Sequence, residues 1–293
     1  MAADRSSIAS ILLNYLLFCI IVLSYVPQYC RLQSRRTTDG LSPWFILLRA
    51  VSTTANLANL LILPAASAAM DYCRTEYSVG RCVVELVTHW QVAADWIGSH
   101  VILFLYGRYY CRDVPRKTRT ATSIITISLV FDVLLLGPSL FLDINPPIPS
   151  PGYYNLMRRI WSFTTIAIST LLALICHWPQ FYHTGTLKRV GSLSVDTLCV
   201  QTVAYFLLAV SLWERFGIPA DGLWYQYMDA FNMWITYLIM GVQAGVLLVE
   251  SIYVAYAYAS TYAYSPSALE GPPAPDDANP VVDEQTPLLA SRP

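Results

Sequence analysis

The chain has 293 residues, of which 55% are hydrophobic and 13% charged, with a formal net charge of −1. A water-soluble domain carries about a quarter of its residues as charged side chains, so an ordinary soluble globule is excluded. The balanced charge, without a basic stripe, gives no footing for a nucleic-acid partner.

The apolar residues fall into runs near the length that crosses about 30 Å of hydrocarbon at about 1.5 Å per residue. Seven spans are predicted in chain order: Ile8–Cys30, Leu41–Leu63, Val83–Tyr106, Ala121–Leu142, Met157–Gln180, Leu193–Trp213 and Tyr225–Tyr256. Backbone groups find no water inside a bilayer, so each span is expected to be helical. Met1–Ser10 carries one acid and one base and no basic leader, so the first run reads as a span and not as a cleavable signal. Cys73 and Cys82 share one short connection and form a disulfide candidate if that loop faces an oxidising compartment, the alternative being two free thiols.

Basic residues set the expected orientation. One side gathers Arg31, Arg35, Arg36, Arg108, Arg112, Arg116, Lys117, Arg119, Lys188 and Arg189. The other has Arg5, Arg74, Arg81, Arg158, Arg159 and Arg215. The positive-inside rule assigns the richer side to the cytosol, which makes the N-terminus lumenal and the C-terminus cytosolic.

The first span ends in Tyr25-Val26-Pro27-Gln28 and the fifth in His177-Trp178-Pro179-Gln180, 152 residues later. The same offset relates Leu41-Ser42 to Leu193-Ser194, each opening the next span. A lone Pro-Gln carries no weight; two copies with matched followers describe a duplication. The expected architecture is an all-helical membrane protein of two parallel three-helix bundles joined by a linker helix. The segments are a first repeat over 1–106, the linker over 107–150, a second repeat over 151–259 and a disordered cytosolic tail over 260–293. These residues, with Thr38-Asp39-Gly40 and Gly191-Ser192, resemble the motifs of the PQ-loop repeat family, which includes cystinosin, vacuolar and lysosomal amino-acid exporters, SWEET sugar transporters and KDEL receptors. The resemblance implies a secondary transporter for a small polar solute, an amino acid first, or a sorting receptor or membrane scaffold. Ala94-Asp95 and Asn56 are similar to residues of the vacuolar branch, whereas Arg49, Ser52 and Thr53 depart from it and leave the solute open.

Proline inside a helix removes a backbone hydrogen bond and bends the span, so Pro27, Gln28, Pro179 and Gln180 are candidate hinge and gate residues. Ionisable and polar groups at bilayer depth are functional candidates by default. Asp95 is the first, with Gln91 a turn before it and His100 five residues after. Arg49 lies within reach of Asp95 or snorkels outward. Asn56, Gln201, Asn232 and Gln243 are candidate lining groups or interhelical bonds, and Asp132 in the linker reads as structural. A carboxylate in a partly dry site holds its proton more tightly than in water, which motivates coupling to a proton gradient. The tail is rich in Pro, Ala, Asp and Glu, and Glu284 with Leu288 and Leu289 fits an acidic dileucine signal read by clathrin adaptors. That signal points to a vacuolar or lysosomal membrane. No catalytic set, phosphate loop or metal cluster is expected, so neither enzyme activity nor a cofactor is predicted.

Overall fold

The computed structural model describes residues 8–62, 86–110, 115–144, 151–187, 192–215 and 224–263, apart from the side chains of 8–11, 115–117, 143–144, 151–155, 214–215, 224–233 and 258–263. Cys73, Cys82, Glu284, Leu288 and Leu289 lie outside them. The described residues up to Ala255 form one compact unit; beyond it, the described part is the helical stretch to Ala263.

Eight helices are described: α1 (Ile8–Arg35), α2 (Pro43–Ile62), α3 (Val87–Tyr110), α4 (Pro115–Ile144), α5 (Pro151–Ile175), α6 (Trp178–Leu187), α7 (Val195–Arg215) and α8 (Trp224–Ala263). No strand occurs among the described residues. Among the described residues, six segments are long and apolar enough to cross a membrane, with α5 and α6 together making one of them. The predicted third span is the exception. The helix forms as α3, but Gln91, Asp95, Ser99 and His100 make it too polar to count on composition. Its polar groups turn inward, with Gln91 and Asp95 fully buried.

α2 is the central helix and packs against α3, α4 and α5; α1 packs against α3 and α7. Shifting residue numbers by 152 carries α1 onto α5–α6 and α2 onto α7, so the α1–α7 and α2–α5 contacts are equivalent. Ala50, Ala55 and Ala58 on α2 are fully buried. Small residues there let neighbouring backbones approach closely, the packing that holds helices together in lipid. α4 instead exposes Leu129, Val130, Val133, Leu134 and Phe141, an outward apolar face suited to hydrocarbon.

The two Pro-Gln copies differ in backbone. Pro27 sits inside the continuous α1. Pro179 follows a break at Cys176–His177, just inside α6, where proline's missing N–H is best tolerated. Gln243 of α8 braces the break: its amide Nε2 donates to the Leu174 carbonyl at 2.7 Å, and its Oε1 accepts from His177 Nδ1 at 2.8 Å.

Candidate functional site

The end of the bundle that carries the two Pro-Gln pairs is closed by a reciprocal set of hydrogen bonds. Gln28 Nε2 donates to the Ser192 carbonyl (3.0 Å), and its Oε1 accepts from the Ser194 N–H (2.8 Å). Gln180 Nε2 donates to the Gly40 carbonyl (2.7 Å), and its Oε1 accepts from the Ser42 N–H (2.9 Å). Each glutamine therefore serves the loop of the other copy, and the 152-residue shift exchanges one pattern for the other. Both glutamines are buried. The loops also meet directly, through the Ser192 N–H donating to the Asp39 carbonyl at 2.6 Å. Gly40 holds a φ of 86°, with the Leu41 N–H donating back to the Thr38 carbonyl. That left-handed turn position favours glycine and aims the Gly40 carbonyl at Gln180.

Deeper in the bundle Arg49 reaches Asp95. Its Nη2 lies 2.9 Å from Asp95 Oδ1, with both residues buried. Tyr25 and Tyr205 donate to the same carboxylate oxygen at 2.6 and 3.0 Å. Arg49 also donates to both tyrosine oxygens, and its Nη1 lies 3.0 Å from Met240 Sδ. The guanidinium carbon stands 4.9 Å from the Tyr205 ring centre, within cation–π range, and the Tyr237 ring is 6.1 Å beyond. Asp95 Oδ2 and the Tyr237 hydroxyl are buried and have no hydrogen-bond partner among the described residues. Tyr25 and Arg49 lie in the first matched copy (α1 and α2) and Tyr205 in the second (α7), while Asp95 comes from α3 and Tyr237 and Met240 from α8. The ion pair thus sits where the two halves meet.

A close approach fixes this arrangement. A Cβ on Gly98 would fall 2.6 Å from the Tyr25 ring, and the Gly98 carbonyl accepts from Tyr29 Oη at 2.8 Å. Gly98→Ala is expected to push Tyr25 off Asp95 and to cost about 1–3 kcal/mol, as overpacking does. Thermal unfolding in detergent of G98A against wild type checks it.

The other predicted residues take different positions. Gln91 turns to α1 and donates to the Asn14 carbonyl at 2.9 Å. Asn56 Oδ1 accepts from Ser169 of α5. His100 faces Asp132, not Asp95. Gln201 is buried on α7, outside the hydrogen bonds around Asp95. Asn232 lies on α8 with its side chain outside the described residues. Tyr25, Tyr205, Tyr237 and Met240 were not predicted; tyrosine near a span reads from sequence as an interfacial anchor. Tyr182, Tyr253 and Tyr256 are strongly exposed and fit that reading.

Helices of spanning length, outward apolar faces and a buried charge pair define a multi-pass membrane protein built around a polar interior. The model of the PQ loop repeat matches residues 9–67 and 161–216, the stretches that carry the two Pro-Gln pairs, so the chain carries two copies similar to that repeat. No curated protein and no solved structure matches the chain.

Proposed function

We propose that this protein is a proton-coupled secondary transporter that exports a small carboxylate-bearing solute, an amino acid first, from an acidic vacuole or lysosome into the cytosol. The observation that carries the reading is the Arg49–Asp95 pair, buried at the meeting of the two repeats and enclosed by tyrosines from both. A buried charge pair without a partner is costly to split. A proton arriving at Asp95 neutralises the carboxylate and leaves Arg49 with an uncompensated charge. The solute carboxylate then takes the place of Asp95 on the guanidinium, the planar donor best matched to it. Proton and solute thereby bind together, the linkage that symport requires.

In this reading α1–α3 form one three-helix repeat, α5–α8 the other and α4 the linker, with α3 as the seventh crossing. The glutamine latch is the cytosolic gate in its closed state, and Pro27 and Pro179 are its hinges. The exchange of hydrogen bonds under the 152-residue shift supports equivalent halves that rock about a site between them. The acidic dileucine around Glu284, Leu288 and Leu289 directs the protein to its membrane through a clathrin adaptor.

Proteoliposomes containing the full chain test the function. With the outside acidic relative to the vesicle interior, a panel of radiolabelled amino acids is expected to include one whose uptake is gradient-driven, and Asp95→Asn is expected to abolish the pH-driven component while folding persists. Unchanged pH-driven flux in D95N removes the coupling role, and solute or peptide binding without any flux favours a receptor.

A further inference from the structure

A second pairing of ionisable groups joins α3 to α4. His100 Nδ1 lies 2.9 Å from the Trp96 carbonyl oxygen, and His100 Nε2 lies 3.1 Å from Asp132 Oδ2. A carbonyl oxygen only accepts, so Nδ1 carries a hydrogen. The contact on the other side then needs a hydrogen of its own, because a bare imidazole nitrogen facing a bare carboxylate oxygen sets lone pair against lone pair. Imidazolium beside carboxylate meets that need, and so does neutral imidazole beside carboxylic acid. In either form one proton holds the pair together and the pair has no net charge. Thr54 of α2 donates to the remaining oxygen, Asp132 Oδ1, while the Trp96 indole N–H donates to Thr54 Oγ1 at 3.0 Å. The Trp96 ring lies 4.7 Å from the imidazole.

We propose that His100 and Asp132 form a proton-binding site distinct from Arg49–Asp95, and that its single shared proton fastens α4 to α2 and α3. Loss of the proton leaves one negative charge in the membrane and two opposed lone pairs, so the contact opens and α4 loosens. From α2 the pair meets Thr54, and from α3 it meets Trp96 and Ser99, whose Oγ is 3.5 Å from Nδ1. The charged groups of those two helices nearest in sequence, Arg49 and Asp95, are bonded to each other. From α1, which packs on α3, Tyr25 and Tyr29 bond at Asp95 and Gly98. On α5, which packs on α2 and α4, Arg158 donates to the Ile62 carbonyl. Between the two pairs Thr53 and Ser99 share a hydrogen bond of 2.7 Å, one turn on from Arg49 and Asp95 respectively. This ties the opening of one pair mechanically to the other. The site is independent of which solute crosses, or of whether any does.

The test uses the full chain in phosphatidylcholine nanodiscs, without solute, with its four histidines labelled with nitrogen-15. His100 is assigned by its loss in His100→Gln. As the pH is raised until the pair's shared proton leaves, the wild-type Nε2 signal is expected to pass from its protonated to its bare position while Nδ1 stays protonated. In Asp132→Asn the amide donates permanently to Nε2, so the bare signal is expected throughout. Spin labels at the exposed Phe104 of α3 and Val133 of α4 are expected to move apart with rising pH in wild type and not in D132N. Should D132N fail to fold, H100Q carries the distance arm, because its amide donates to the carboxylate at every pH. A wild-type Nε2 signal that does not change, a titration shared with D132N, or an H100Q distance profile equal to wild type overturns the proposal.

Discussion

Asp95→Ala is expected to lower the stability of the folded protein by about 3–5 kcal/mol, the cost of leaving one member of a buried charge pair alone. Arg49 would keep its charge, with Met240 and two tyrosine hydroxyls left as its hydrogen-bond partners. The double replacement Arg49→Met with Asp95→Leu removes both charges together and fills the space with apolar atoms. It is expected to recover most of that stability, since exchanging a whole buried pair for hydrophobic residues is close to neutral. Flux is expected to be absent in both variants. Thermal unfolding and proteoliposome uptake, measured on the same samples, separate the two effects. Full uptake in the apolar double variant would remove the pair from the mechanism and leave it as a structural bond.

Gln28→Ala and Gln180→Ala are each expected to shift the molecule toward a state open at the Pro-Gln end, and by similar amounts. Each change removes two hydrogen bonds, and a net hydrogen bond contributes about 0.5–1.5 kcal/mol. The closed state therefore loses about 1–3 kcal/mol, or roughly 5- to 150-fold in the open-to-closed ratio. A cysteine introduced at Ser194 in the Gln28 variant, or at Ser42 in the Gln180 variant, reads the shift as a faster reaction with a water-soluble maleimide. A response to one glutamine and not to the other would contradict equivalent latches.

Much of this was legible in the residues. Runs of apolar length marked the helices, and the 152-residue offset between the Pro-Gln pairs survives as a physical exchange of hydrogen bonds. Arg49 was expected either to reach Asp95 or to snorkel outward, and it reaches Asp95. The rest depended on direction. His100 follows Asp95 by five residues, which at 3.6 residues per turn leaves it about 140° further round the helix. It therefore faces Asp132 of α4, and Asp132 has an ionisable partner. Gln28 and Gln180 read from sequence only as hinge and gate residues, with no partner given. They bind the loops of the opposite copy, a choice made by tertiary packing that no local pattern encodes. Tyr25, Tyr205 and Tyr237 were hidden by the frequency of tyrosine at membrane surfaces.

The unequal backbone around the two prolines has a mechanical consequence. α1 runs unbroken through Pro27, whereas the chain parts at Cys176–His177 before Pro179. In the proposed rocking, the first half turns as one continuous helix through Pro27, while the second bends beside the Cys176–His177 joint. Both prolines remain hinges in that reading, one within a continuous helix and one beside a break.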